Sequence, residues 1–177
     1  MKIITRGQPT KVNRSLCKKA IKWYAEKLIP ERKLKNKIIR VQFEKELLKK
    51  HGIFGECFDD DQEKHTYDII MDSALPKTQM LTALAHEVTH IKQFINGELK
   101  NMSGAFCKWN GIKVNYEEIE YWDHPWEIDA HGREKGLYYR FLDSLKRKKN
   151  DVSVRVLSWI HCIETTLHTK ELWLYQI

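Results

Sequence analysis

The stretch 81-LTALAHEVTHIKQFINGEL-99 decides how the chain is read. Leu81, Leu84, Ala85, Val88, Ile91 and Ile95 recur at helical spacing and form one apolar stripe. His86 and His90 are one turn apart on another face, roughly opposite that stripe. Two imidazoles at this spacing can reach one metal ion, and Glu87 lies rotated to the side, placed to take a proton from a water. Ala83 and Phe94 flank the pair, so this face is not the polar side of a surface helix.

Zinc used in catalysis takes three protein ligands and keeps one position open. Candidates for the third lie in 121-YWDHPWEIDAHGREKG-136: Asp123, His124, Glu127, Asp129 and His131. Pro125 suits the first turn of a helix, and Glu127 follows one turn in. Small Ala130 shares its face and lets a neighbouring helix approach. His131, at i+4, can orient a ligand or bind substrate. Glu127 is the leading third ligand, with His124 and His131 as the alternatives.

Around these two helices the pattern is mixed. Residues 15–30 read as a helix with Ser15 as its cap and Pro30 at its end. Segments 37–43, 53–58 and 66–72 read as strands, and 44–52 as a short helix or turn closed by Gly52. Pro76 opens the histidine helix and Gly97 stops it. Asn110-Gly111 between FCKW and IKVNY signals a two-residue hairpin. Residues 125–149 read as a long helix weakened by Gly132 and Gly136, and 153–168 as a last helix. The acidic run 59–64 lacks the glycine-bearing loop of a calcium site and reads as a solvated hairpin tip. The order predicts a single α+β domain over 1–177. Its core covers about 37–149, with 1–36 an N-terminal helix region and 150–177 a C-terminal helix.

The chain has 177 residues and a formal charge of +7, spread over clusters at 18–19, 31–37, 49–50 and 146–149. That permits weak attraction to nucleic acid without specifying it. Cys17, Cys57, Cys107 and Cys162 are too scattered for a zinc knuckle or a CxxC redox pair, which fits reduced, packed thiols. No signal peptide or membrane span is expected, so the expected compartment is the cytoplasm.

HEVTH (86–90), followed 37 residues later by EIDAH (127–131), resembles the glutamate-ligand branch of the zincin metallopeptidases, the gluzincins. The likeness spans mainly residues 66–140 and is nearest to small phage-encoded proteins with a zinc-metallopeptidase motif. The resemblance implies a minimal zincin-like fold and hydrolysis of an intracellular protein or peptide. It implies Zn2+ on His86, His90 and Glu127, with Glu87 as general base. It also implies that the strand before the metal helix, 66–72, is a sheet edge that receives extended substrate. The chain departs from the pattern at His131, where the family commonly carries an aspartate supporting a ligand histidine. The family's transition-state donor, a His or Tyr, has no clear match: Tyr138, three turns from Glu127, is a poor candidate, and His161 remains open with nothing in the local sequence to pick it out. Two other readings stand beside this one. One is a catalytically silent zincin-like regulatory or binding protein. The other is a SprT-like protease acting on DNA-bound proteins, with Trp109, Trp122 and Trp126 stacking on bases.

Overall fold

The structure is a computed structural model and describes residues 1–59 and 63–147. Two compact units divide the chain, Met1–Tyr139 and Arg140–Ile177. The expected helix at 153–168, with Cys162 and His161, lies outside the described residues, as does the tip of the acidic hairpin at 60–62.

The first unit is α+β. A four-stranded mixed sheet is built from β1 (Lys2–Arg6), β2 (Ile38–Glu44), β3 (Gly55–Asp59) and β4 (Thr66–Asp72), in the order β1-β2-β4-β3. The first three in that order run parallel, and β3 folds back antiparallel on β4. Alternation along β2 and β4 buries Ile39, Val41 and Phe43 beside Tyr67, Ile69 and Met71, each pair in register. Strands buried on one face show this period of two. The long helices α1 (Arg14–Leu28) and α4 (Lys77–Asn96) pack on each other, and the Tyr24 hydroxyl donates to the Leu81 carbonyl at 3.1 Å.

Short elements connect these. Helix α2 is Glu31–Leu34, and α3 is Leu47–His51, closed by Gly52 in the left-handed region. The buried Asp72 carboxylate accepts from the Leu48 and Ala74 amides, both at 2.7 Å, and so anchors the turn into α3. A second sheet follows α4, with β5 (Leu99–Asn101), β6 (Phe106–Trp109) and β7 (Ile112–Asn115) in order. Asn110 and Gly111 both have positive φ at the β6–β7 turn, as a type I′ hairpin requires. Two single 3-10 turns, Tyr116–Glu118 and Tyr121–Asp123, lead into helix α5 over 125–147.

Four expectations need correction. Residues 1–36 are not a helix region outside the core: β1 pairs with β2 from Lys2 to Arg6, and α1 packs on α4. Short strands such as KIITR carry too few residues to reveal themselves by periodicity. Asn13, not Ser15, caps α1, its side chain accepting from the Ser15 amide at 2.7 Å. Pro76 occupies the N-cap position of α4 rather than its first turn. Most consequentially, 66–72 is not a sheet edge. It is paired to β2 on one side and β3 on the other, because the 53–59 segment returns antiparallel and takes the outer position. The edge strand on this side of the sheet is therefore β3, and the edge on the far side is β1.

Gly7 has φ +71°, and a Cβ there would lie 2.4 Å from the Phe43 carbonyl oxygen. Gly7→Ala should therefore destabilise the protein by about 1–3 kcal/mol or more in urea unfolding. Gly136 sits on exposed helix with open space around it, so Gly136→Ala should stabilise by about 0.5–1 kcal/mol in the same assay.

Candidate metal centre

Helix α4 is buried along most of its circumference, because α1, the sheet and α5 each pack against it. His86 and His90 are each 7% exposed, Glu87 5% and Glu127 8%. The histidines are thus in a walled site and not on a wet surface. Their Nε2 atoms stand 3.0 Å apart. The Glu127 carboxylate spans them, with Oε2 3.2 Å from His86 Nε2 and Oε1 3.5 Å from His90 Nε2.

Hydrogen bonding orients both rings. His86 Nδ1 faces Glu134 Oε2 at 3.0 Å, and a carboxylate only accepts. His90 Nδ1 faces Gln93 Oε1 at 2.9 Å. The Gln93 amide is oriented by its nitrogen, which donates to the Trp126 carbonyl at 2.9 Å and to Asp129 at 3.2 Å. Both Nδ1 atoms therefore face acceptors on the far side of their rings, and both Nε2 atoms face each other and the Glu127 carboxylate. Two ring nitrogens and a carboxylate converging in a buried place call for a cation between them, a proton or a metal ion. His86, His90 and Glu127 could hold a metal ion.

Without a metal the local field favours a proton in the cation's place. Burial alone would lower the His86 pKa, but hydrogen bonds to Glu127 and Glu134 outweigh it and push His86 up to about 10. Burial likewise raises Glu127, yet its bonds to His86 and His90 hold it well below the usual carboxylate range. Glu87 is different. It makes no bond to the cluster, and burial pushes it up to about 7 against the pull of His90 and His86.

The structure sorts the expected ligands. Glu127 joins the histidine pair. His124 does not: its ring stacks on Trp126 at 4.6 Å and its Nε2 meets the Tyr116 carbonyl at 3.1 Å. His131 stands one layer out, with Nδ1 3.2 Å from Glu134 Oε2 and its ring 4.4 Å from that of His86. Its Nε2 is buried without a hydrogen-bond partner. With His86 and Glu134 it forms a second group able to hold a metal, and this group shares His86 with the first. Asp129 turns away to Lys92, Gln93 and Arg133, tying α5 to α4.

Three residues escaped the sequence reading. Glu134 supplies the carboxylate behind His86 that His131 cannot. It lies seven residues after Glu127, two turns along the same helical face, and that i, i+7 spacing was a usable signal. Gln93, at i+3 from His90, was equally placed. Tyr121, from the 3-10 turn, donates its hydroxyl to Glu127 Oε2 at 2.8 Å. A turn of that kind has no periodic signature. Tyr138 is bonded to Thr78 instead, at 3.3 Å. Of the tryptophans, Trp126 is buried with Leu99 and Cys107, and Trp109 packs against that cluster, so both serve packing.

Two cavities meet at the cluster. One of about 520 Å3 reaches from His86 and Glu87 past Ala83, Tyr121 and Trp122. The other, about 350 Å3, reaches from the same two residues past Glu56, Cys57, Phe94 and Trp126. The edge strand β3 borders both through Gly55. Among the described residues no helix is long and apolar enough to cross a membrane. No protein-family model, curated protein or solved structure matches the chain.

Glu127→Ala should abolish stoichiometric Zn2+ uptake in elemental mass spectrometry. Glu134→Gln should weaken Zn2+ affinity about 10–100-fold in a chelator competition titration, and His124→Ala should leave it unchanged.

Proposed function

We propose that the protein is a zinc-dependent metallopeptidase that cleaves within peptide chains. The observation that carries this reading is the joint placement of His86, His90 and Glu127 around one point, with buried Glu87 beside them and a cleft continuing in two directions.

Zinc fits the donor set. Two neutral imidazoles and one carboxylate are ligands it accepts in catalytic sites. Tetrahedral bonds of about 2.0–2.1 Å put neighbouring ligand atoms about 3.3 Å apart. The separations here are 3.0, 3.2 and 3.5 Å. When bound, such an ion supplies Lewis acidity that lowers the pKa of water to about 7 and polarises a carbonyl.

The side chains divide the remaining work. Glu87, raised by burial to about 7, is a base matched to neutral pH. It takes a proton from water as the water oxygen bonds to the peptide carbonyl carbon. It then delivers that proton to the amine nitrogen as the C–N bond breaks. Tyr121 is held protonated: burial and its bond to Glu127 push its pKa far above the ordinary value. Tyr121 lines both cavities, and its hydroxyl proton, given to Glu127 here, can turn to the carbonyl oxygen as negative charge develops there. Glu134 and Gln93 orient the imidazoles. The open edge of β3 offers backbone groups to an extended substrate. This chemistry is what the gluzincin resemblance implies; the strand beside the cleft is β3 and not 66–72, and Tyr121 takes the donor role that the sequence left unassigned.

Zinc-loaded protein should hydrolyse unstructured casein. Glu87→Gln should lower the rate about 10²–10⁴-fold while keeping one zinc per chain. Tyr121→Phe should lower kcat about 10²–10³-fold with little change in zinc content. Undiminished cleavage by zinc-loaded Glu87→Gln would rule this reading out.

A further inference from the structure

We propose that the larger cavity is a specificity pocket for an aromatic side chain next to the scissile bond. The inference rests on the peptidase reading and names its substrate class.

The cavity includes the reacting position, since His86 and Glu87 are among its lining residues. A side chain entering it must therefore belong to a residue flanking the bond that is cleaved. Its volume of about 520 Å3 is within the range of small-molecule sites and exceeds what a short aliphatic side chain needs. Ala83 lies one turn before His86 on α4, and its methyl group leaves the space open.

The walls are rings. Phe54 comes from the segment leading into β3, and Tyr121 and Trp122 from the 3-10 turn before α5. The Tyr121 and Trp122 rings meet edge to face at 5.2 Å, and Trp122 lies 4.9 Å from His131. These apolar residues stay unusually open to solvent, with Trp122 69% exposed, Tyr121 47% and Phe54 41%. Core aromatics such as Tyr24 are fully buried. Exposed rings gathered around one concavity mark a binding site, and an aromatic guest gains edge-to-face contacts there beyond its buried area. The smaller cavity also has rings, Phe94, Tyr121 and Trp126, but Trp126 is buried in the packing of Leu99 and Cys107 with Phe94 against it, and Glu56 stands beside them.

The test uses the full chain loaded with zinc and two readouts. The first compares kcat/KM for peptides alike except for one residue beside the cleaved bond, phenylalanine or alanine. The second measures binding of the same fluorescein-labelled peptides to Glu87→Gln protein by anisotropy. In both, the phenylalanine peptide should be favoured at least 10-fold. Ala83→Phe, which fills the pocket, should bring that ratio close to one. Trp122→Ala removes a wall that is 69% exposed, and should reduce the ratio at least 3-fold. Equal binding of the two peptides, or a ratio untouched by both substitutions, would overturn the pocket. Aromatic-selective binding without any cleavage by the wild type would instead support the pocket and sink the peptidase reading.

Discussion

Two imidazole nitrogens aimed at one another across 3.0 Å, with a carboxylate alongside, need a positive charge between them, either a proton or a metal ion. Everything around the centre serves to hold that convergence. Each histidine is oriented by an oxygen on its far side, Glu134 for His86 and Gln93 for His90. Gln93 is itself held by the Trp126 carbonyl and Asp129, so the ligand-bearing part of α5 and the histidine helix cannot shift independently. Lys92 and Arg133 close the network on Asp129. A metal ion supplies that charge directly, which makes metal binding and helix packing one problem rather than two.

The chain carries a net charge of +7, yet this cleft gathers Glu56, Glu87, Glu127 and Glu134. Overall charge therefore says little about the site. Its carboxylates also differ in environment. Glu127 and Glu134 are hydrogen-bonded to imidazoles and held anionic, whereas Glu87 is desolvated without such partners and sits near neutrality. The two environments thus suit Glu127 to stay anionic and Glu87 to exchange a proton near neutral pH.

Placement of the cleft depends on the return of one strand. Because 53–59 folds back antiparallel, β3 becomes the edge strand on this side and passes beside Glu87. The bonds from Asp72 to Leu48 and Ala74, and from the Asp72 amide to the Phe54 carbonyl at 2.9 Å, keep the segment before β3 in place. The same segment carries Phe54 to the wall of the larger cavity.

Much of this was legible in the residues alone. The i, i+4 histidines, the glutamate between them, the Pro and Gly bounds of α4 and the Asn110-Gly111 turn are local patterns, set by helix and turn geometry within a few positions. Glu127 was legible by the same rule, as one turn into a helix that had to face the first. What the sequence could not contain was the choice among His124, His131 and Glu134, because Trp126 and the Tyr116 carbonyl capture one, Glu134 captures the second, and only packing brings the third behind His86. Strand order, the identity of the edge strand beside the cleft and the arrival of Tyr121 at Glu127 are likewise non-local. They depend on which surfaces bury one another, and that is decided by the tertiary structure.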